Sequence, residues 1–377
     1  MTAGNCSPDH TLYLDDPYEA SLYLYQPIDK IMTFYIIPVI SVFGILSNLA
    51  FILVVYKVPF MRSPTSCYLV QLAVSDTIFL LVAAVEKIVL ISSTPIQLDM
   101  SSIGFVPGCI LRHGLLDMAY FASLLFITAV TFDRYIAICR PLRVRRYTKT
   151  RRAKLSGIFW VTAIVFAACL VPAFYTLLCI VPPEFETSDF PQQILVCDSE
   201  FIPKWVFYVR YPMKTLPFFI SLAINVVFYV AILRAIRRRK KTMRSALTHS
   251  TAQSRHARNA VDRMVLVTGG LFFILLSPLE FYFIVITITE ILNYLPLSVE
   301  QEAIVIWVFR LLSYVNSSIN PVVYNITNSR YREAFKMVFW RKTSKPGNSS
   351  TSVVNIQHAQ QHDNSPTSVS NALETHL

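Results

Sequence analysis

Hydrophobic residues along this chain fall into seven long runs that are separated by shorter polar segments. Each run is long enough to cross a bilayer, which takes about 20 residues of helix. The seven runs are Ile31–Tyr56, Pro64–Ile91, Phe105–Ile138, Leu155–Leu178, Trp205–Ile236, Val261–Thr289 and Ala303–Asn325. The pattern predicts an all-α membrane protein, a seven-transmembrane helix bundle over residues 31–326 that follows an N-terminal tail of residues 1–30.

A shorter amphipathic segment follows the seventh run. Tyr331, Phe335 and Phe339 recur at every fourth position, and the charged residues fall on other faces. Side chains four residues apart share one face of a helix, so the segment predicts an amphipathic eighth helix over residues 327–341 that lies on the membrane surface. The tail of residues 342–377 is rich in Ser, Thr, Asn and Gln without an apolar period, which indicates disorder.

Composition and charge placement agree with a membrane protein of fixed orientation. Of the 377 residues, 54% are hydrophobic and 15% are charged, and the formal net charge is +11. Lys and Arg concentrate after the third and fifth runs, whereas the N-terminal tail and the segments after the fourth and sixth runs are acidic. The positive-inside rule places the N-terminus outside the plasma membrane and the C-terminus in the cytosol. Basic blocks between membrane runs therefore indicate orientation and not a nucleic-acid partner.

Two features of the predicted extracellular side involve covalent chemistry. Asn5 begins a triplet that fits a glycosylation acceptor in a translocated tail. Cys109, at the outer start of the third run, and Cys197, after the fourth run, both face an oxidising compartment, so we expect a disulfide between them; two unpaired thiols are the alternative. The tail has no short apolar stretch after a positive head, so the first run is expected to direct insertion.

Polar residues inside the hydrophobic runs are costly in lipid and usually mark a pathway or a switch. They are Asn48, Asp76, Ser123, Asn316 and Asn320. If they meet at one depth, they form a pocket that holds water or a monovalent cation such as Na⁺ beside Asp76. The alternative is a hydrogen-bonded cluster that only joins the helices. No other cofactor and no metal site is predicted.

Three prolines stand inside the last three runs. They are Pro217 in the fifth, Pro278 in the sixth and Pro321 in the seventh. Proline removes a backbone hydrogen-bond donor and weakens the helix around it. Three weakened helices around a polar core indicate a bundle that changes shape, and static bends are the alternative.

Six motifs occur in order, each on its own run. They are GILSN with Asn48, LAVSD with Asp76, Cys109 one long helix before Asp133-Arg134-Tyr135, Trp160 in the fourth run, Pro217 in the fifth, and Asn320-Pro321-Val322-Val323-Tyr324 in the seventh. In this combination the chain resembles the rhodopsin-like (class A) G-protein-coupled receptors over about residues 31–340. The resemblance implies a receptor, not an enzyme, that transmits extracellular ligand binding to a heterotrimeric G protein.

The resemblance also implies roles at the cytosolic end of the third helix. Asp133 restrains Arg134 in the resting receptor, and Arg134 with Tyr135 contacts the G protein once the sixth helix has swung outward. Arg258 stands near the inner end of the sixth run, where some relatives place an acid that pairs with this arginine. An ion pair between Arg134 and the sixth helix is therefore not expected.

For the activation switch, the resemblance adds Phe272 and Tyr324 to the polar residues and prolines above. Two positions depart from the family pattern. Leu276 replaces the tryptophan usual in the sixth run, and Asn225 replaces a tyrosine that many relatives carry in the fifth, with Tyr229 predicted to point off that face. The switch is still expected to operate.

Charged residues near the outer ends of the runs indicate the ligand. The set is Glu86, Lys87, Arg112, Asp117, Lys214, Glu280 and Arg310. Leu116 occupies the position of the aspartate in the family's amine receptors, which disfavours an amine, whereas mixed charges suit a peptide. The acidic outer segments favour a cationic or amidated peptide by electrostatic steering. Internal pairing, for example of Glu280 with Arg310 or of Glu86 with Lys87, is the alternative.

Two stretches, MRSPTSCYLVQLAVSD and RLLSYVNSSINPVVYN, resemble neuropeptide receptors of the thyrotropin-releasing-hormone type, in which an arginine at the position of Arg310 contacts the ligand. The resemblance implies a small extracellular neuropeptide as ligand, membrane lipids around the bundle, and a C-terminal tail that recruits receptor kinases and arrestin. Two other functions stay open. One is a scaffold or decoy that binds without coupling, which the missing tryptophan of the sixth run would allow, and the other is a transporter that uses the polar core as an ion path.

Overall fold

The computed structural model describes residues 11–13, 23–97, 99, 102, 105–141, 149–170, 176–181, 193–196, 204–243, 252–292 and 299–340. Seven long helices, one short α-helix and a 3₁₀ turn at Pro59–Met61 lie within these ranges. The helices are α1 (Pro27–Lys57), α2 (Pro64–Ser93), α3 (Phe105–Cys139), α4 (Lys149–Leu170), α5 (Lys204–Met243), α6 (Ala252–Leu292), α7 (Val299–Thr327) and α8 (Ser329–Phe339). We call the end of the bundle at which α1 begins the N-terminal face, and the end at which α1 stops the C-terminal face.

Each predicted hydrophobic run coincides with one helix, and the fourth shows the largest difference. The predicted run Leu155–Leu178 is too late at both ends, because α4 begins at Lys149 and ends at Leu170. Residues Thr176–Val181 form a strand instead. Pro172 lies between the two elements in the sequence, and a proline disfavours helix at the residue before it.

A small sheet supplements the helices. Its strands are β1 (Thr11–Tyr13), β2 (Thr176–Val181) and β3 (Gln193–Val196), in the order β1-β2-β3. β1 runs parallel to β2, with Thr11 opposite Cys179, and β2 runs antiparallel to β3. The sequence did not predict this sheet, which adds a strand from the N-terminal tail to the segment between α4 and α5.

The outer surface of the bundle suits lipid. Six helices, α1 and α3 to α7, contain stretches that are long and apolar enough to cross a membrane. Large apolar side chains point outward from them, among them Val39, Val161 and Ile274, each more than 60% exposed. α2 is as long as the others but buries Asp76 and Glu86 against its neighbours. Water-soluble proteins bury apolar side chains and expose charged ones, whereas this bundle exposes apolar side chains and buries carboxylates.

Local sequence sets the ends and irregularities of the helices. The Ser63 side chain accepts a hydrogen bond from the Ser66 amide at the start of α2, with Pro64 as the first helical residue. The Asn328 side chain caps α8 in the same way. The proline that weakens each of α5, α6 and α7 lies inside a continuous helix, so none of the three ends its element.

α3 crosses the middle of the bundle and packs against α2, α4, α5 and α6. α8 turns away from α7 and lays its apolar side on the bundle, where Tyr331 stacks on Phe51 at 5.9 Å between ring centroids. Ala334 is fully buried beside it, and the charged residues of α8 are exposed. The predicted amphipathic eighth helix is confirmed.

Candidate ligand cavity and signalling core

A cavity of about 220 Å³ lies between the helices in the half of the bundle nearer the N-terminal face. All seven charged residues that the sequence singled out for ligand binding line it: Glu86, Lys87, Arg112, Asp117, Lys214, Glu280 and Arg310. They come from α2, α3, α5, α6 and α7. Aromatic and aliphatic side chains fill the space between the charges, which is the usual make-up of a small-ligand site.

The acidic side chains of α2 and α3 already have basic partners. Glu86 Oε1 lies 2.8 Å from Arg112 Nε and 3.8 Å from Lys87 Nζ. Asp117 Oδ1 lies 2.8 Å from Lys214 Nζ. The predicted pairing of Glu86 with Lys87 is therefore present, but Arg112 is the closer partner.

The third acid, Glu280, bonds to a neutral group. The Tyr120 hydroxyl donates to Glu280 Oε1 at 2.7 Å. Arg310 lies within 4.0 Å of no carboxylate among the residues that the structure describes, so the alternative pairing of Glu280 with Arg310 is wrong. Tyr120 lies three residues after Asp117 on α3, and nothing in its apolar neighbourhood distinguished it in the sequence.

Two cations of the cavity flank one aromatic ring. Lys87 Nζ lies 5.9 Å and the Arg310 guanidinium carbon 6.0 Å from the centroid of Trp307, which is cation–π distance. The Trp307 indole donates to Asp29 Oδ1 at 2.6 Å, and Asp29 is 6% exposed. Neither residue was predicted from the sequence, because Asp29 precedes the first run and Trp307 is an ordinary aromatic residue near the start of the seventh.

The residues at the start of α1 and just before it are held against the residues that follow α2, at the N-terminal face of the bundle. Asp29 Oδ2 accepts from the Gln26 amide at 2.7 Å and from the Gln97 side chain at 3.1 Å. Leu24 forms an antiparallel bridge with Ile96. Burial and the nearby Asp29 carboxylate raise the pKa of Tyr25, which lies in this segment outside the spanning helices, to about 12. Asp29 thus links this segment to Trp307, the ring against which the Lys87 and Arg310 cations lie.

The deep end of the cavity approaches the predicted switch. Ser123, Phe272 and Asn316 line it there, together with Leu276 at the position of the missing tryptophan. Phe272 is 1% exposed and packs edge-on against Phe273 of the same helix at 5.3 Å. A ligand in the cavity can therefore contact Ser123, whose hydroxyl is hydrogen-bonded to the buried Asp76 carboxylate of α2.

Asp76 lies in a hydrogen-bonded cluster that joins α2, α3 and α7. Its Oδ1 accepts from the Ser123 hydroxyl at 3.3 Å and its Oδ2 from the Asn320 side chain at 2.8 Å. Ser75 and Ser123 share a hydrogen bond at 2.9 Å. Asn48 makes no direct bond to Asp76; its side-chain amide donates to the backbone oxygens of Gly44 and Ser317.

Two aromatic residues, Tyr324 of α7 and Tyr229 of α5, lie between this cluster and the C-terminal face. The Tyr324 ring lies 5.0 Å from Phe51 and is 1% exposed. The Tyr229 hydroxyl lies 3.4 Å from Thr131 Oγ1 of α3, so the expectation that Tyr229 points off the inner face is wrong. Gly269 of α6 makes room for it, since a Cβ there would overlap the hydroxyl.

At the C-terminal face, Arg134 is held by three groups. Its Nη2 lies 3.1 Å from Asp133 Oδ2 and also donates to Thr65 Oγ1, whose hydroxyl donates to the same Asp133 oxygen at 2.7 Å. The third group is Asp262 of α6, whose Oδ1 lies 4.0 Å from Arg134 Nη1 and whose side chain is 4% exposed. Tyr135 turns to α5 and stacks on Phe228 at 5.0 Å.

Asp262 corrects the expectation that no ion pair joins Arg134 to the sixth helix. Position 258 is basic, but Asp262 follows it by four residues, which is about one turn along the same helix face. The acid is therefore present one turn further into the bundle. The sequence signal for this contact is an Asp inside the apolar stretch that begins the membrane portion of α6.

The family model for the 7 transmembrane receptor (rhodopsin family) matches residues 47–324. The chain belongs to this family. It is 29% identical over 345 residues to a thyrotropin-releasing hormone receptor of Gallus gallus, covering 86% of this chain and 83% of that protein. It is 27% identical to neuromedin-U receptor 2 of Homo sapiens, covering 79% and 69%, and 27% identical to galanin receptor 2b of Danio rerio, covering 78% and 70%.

Family membership confirms several predictions for this receptor. It is a multi-pass membrane protein with the seven-helix bundle of the rhodopsin family, and it is a receptor and not an enzyme. Other predictions lie outside the residues or side chains that the structure describes: the glycosylation acceptor Asn5, the disulfide of Cys109 with Cys197, the side chain of Arg258, and the tail beyond residue 340. These stay predictions.

Proposed function

We propose that this receptor binds a neuropeptide in the N-terminal cavity and transmits the event to a heterotrimeric G protein at the C-terminal face. The observation that carries the proposal is the convergence of seven charged side chains on one cavity of a rhodopsin-family bundle. Relatives named for thyrotropin-releasing hormone, neuromedin U and galanin support a peptide ligand.

The cavity favours particular contacts with the peptide. The acids Glu86 and Asp117 are neutralised by basic neighbours, whereas Arg310 contacts the Trp307 ring and lies near no carboxylate among the described residues. A guanidinium offers five N–H donors, so Arg310 suits a carbonyl or carboxylate oxygen of the ligand. Acidic segments outside the cavity steer a basic or amidated peptide toward it, and Arg310 then holds one of its acceptor groups.

Replacing Arg310 with Gln is expected to lower agonist potency about tenfold, because a charge-assisted hydrogen bond contributes about 1.5–3 kcal/mol. The agonist is first found by screening a neuropeptide library against cells that carry a promiscuous G-protein reporter. Lys30→Gln is the control, since Lys30 is exposed at the same face and does not line the cavity. Equal potency of the Arg310→Gln variant and the control would remove Arg310 from the site.

The same cells test orientation and the rival function. The placement of Lys and Arg supports an extracellular N-terminus at the plasma membrane. An N-terminal epitope tag should be stained on intact cells, and staining only after permeabilisation would refute this orientation.

A peptide that binds at the surface without activating any G protein would indicate a non-coupling decoy instead.

The Asp76 cluster supports a monovalent cation as a further element of this function. Asp76 is fully buried and is bonded to neutral donors, and a buried carboxylate without a counter-charge is costly. Sodium would be held by the Asp76 carboxylate and the nearby serine hydroxyls. Agonist affinity is expected to depend on Na⁺ concentration, with K⁺ as the ionic-strength control, and Asp76→Asn is expected to abolish the dependence. Sodium dependence that survives in Asp76→Asn would exclude this site.

A further inference from the structure

A second cavity lies near the C-terminal face, between α2, α3 and α4. Its volume is also about 220 Å³. It is walled by apolar side chains, including Tyr68, Phe132 and Phe159, and it holds Arg151 and Arg152 of α4. The cavity shares no lining residue with the ligand cavity, and the proposed function assigns it no role.

Arg152 is poorly satisfied in this cavity. Its residue is 8% exposed, yet its only polar contact among the described residues is Asp133 Oδ1 at 3.9 Å from Nη2. Its Nε is buried without a hydrogen-bond partner. Asp133 is already engaged by Thr65 and Arg134, at 2.7 Å and 3.1 Å. A buried guanidinium with donors unused is costly unless an acceptor joins it.

The local charge favours an anion as this acceptor. The charged residues that line the cavity are three arginines, Arg134, Arg151 and Arg152, and one acid, Asp133. Arg151 is exposed at the edge, whereas Arg152 is inside. Arginine forks match the oxygens of a phosphate group, and Arg152 has donors free to make such a contact.

The surroundings indicate how the anion arrives. Phe132 is 37% exposed at the cavity, and Ile158 on α4 is 56% exposed on the apolar outer surface. An acyl chain can therefore lie along α4 while the headgroup enters between the helices, at the depth where long basic side chains usually meet headgroups.

We propose that the cavity between α2, α3 and α4 binds a phosphate group through Arg152, with Arg151 at its rim. The group is a phosphate monoester, which a phospholipid headgroup or a soluble phosphate ester can supply. The apolar exit favours the phospholipid. The proposal does not depend on the identity of the peptide agonist.

Native mass spectrometry of the purified full-length receptor in neutral detergent tests this proposal. The probes are dioctanoyl phosphatidic acid, dioctanoyl phosphatidylcholine and glycerol 3-phosphate. We expect phosphatidic acid to bind at least tenfold more tightly than phosphatidylcholine, and Arg152→Gln to lose about tenfold in affinity for it. Lys154→Gln is the matched control, because Lys154 lies two residues further on α4, is exposed and does not line the cavity.

Ala137→Phe supplies a second variant that keeps every charge. Ala137 lines the cavity and is half-buried, so the larger ring should block entry and lower phosphatidic acid binding even if Arg152→Gln fails to fold. Tighter binding of the lipid than of glycerol 3-phosphate identifies a membrane source, and equal binding identifies a soluble one. The proposal is overturned if wild type shows no preference for phosphatidic acid, if Lys154→Gln loses as much affinity as Arg152→Gln, or if Ala137→Phe binds like wild type.

Discussion

Replacing Arg134 with Ala is expected to abolish G-protein activation while agonist binding at the N-terminal cavity survives. Arg134 is 15% exposed in the resting arrangement and its guanidinium is shared by Asp133, Thr65 and Asp262. None of these groups lies in the ligand cavity. The variant therefore removes the donor that the resemblance assigns to the G protein and leaves the peptide contacts in place.

The measurement compares agonist-stimulated nucleotide exchange with saturation binding on the same membranes. Arg140→Ala is the matched control, since Arg140 directly follows α3, is exposed and forms no ion pair with the described residues. Exchange should fall to background in Arg134→Ala and persist in Arg140→Ala. Stimulated exchange that persists in Arg134→Ala would show that the signal leaves the receptor by another route.

The sequence predicted the helices well because the membrane imposes one length scale on all of them. Every apolar run of about 20 residues corresponds to a helix, and the charged residues near the predicted outer ends converge on one cavity. The same rule could not predict the three-stranded sheet, because its strands are only three to six residues long and the start of β2 falls inside the predicted fourth run. It also placed the start of α4 six residues late, since Lys149–Lys154 reads as a basic loop.

Pairings between helices were less predictable than the helices themselves. Glu280 could face Arg310 or Tyr120, and only the rotation of α3 and α6 selects Tyr120. Trp307 is one of several aromatic residues in the chain, and its position between Lys87 and Arg310 depends on how α2 meets α7. Contacts of this kind follow from packing, which a periodicity of apolar residues does not encode.

Arg152 illustrates a different limit. In the sequence it belongs to a basic block that the positive-inside rule explains completely, so each arginine of the block was interpreted as an orientation signal. In the structure Arg151 is exposed, as that explanation requires, but Arg152 is buried beside Asp133. Adjacent residues on a helix point about 100° apart, so one can face the cytosolic boundary and the other the bundle.

Replacing Asp262 with Asn is expected to raise ligand-independent activity about thirtyfold. The ion pair of Asp262 with Arg134 is the contact by which α6 holds the arginine of α3, at 4.0 Å and largely out of water. Removing one partner of a fully buried pair costs about 3–5 kcal/mol, but Arg134 keeps Asp133 and Thr65, so we expect about 2 kcal/mol here. That free energy, lost only from the resting state, shifts the resting-to-active ratio about thirtyfold.

Basal nucleotide exchange without agonist measures this shift, normalised to receptor number at the cell surface. Asn is nearly isosteric with Asp, so the change removes charge without opening a cavity. Glu333→Gln is the matched control, because Glu333 is an exposed acid of α8 at the same face and forms no ion pair with Arg134. Because exchange is expected to require Arg134, Asp262→Asn combined with Arg134→Ala should return exchange to background. Basal exchange equal to wild type in Asp262→Asn would mean that Asp133 alone restrains the arginine, and α6 would then need another contact to hold it in the resting bundle.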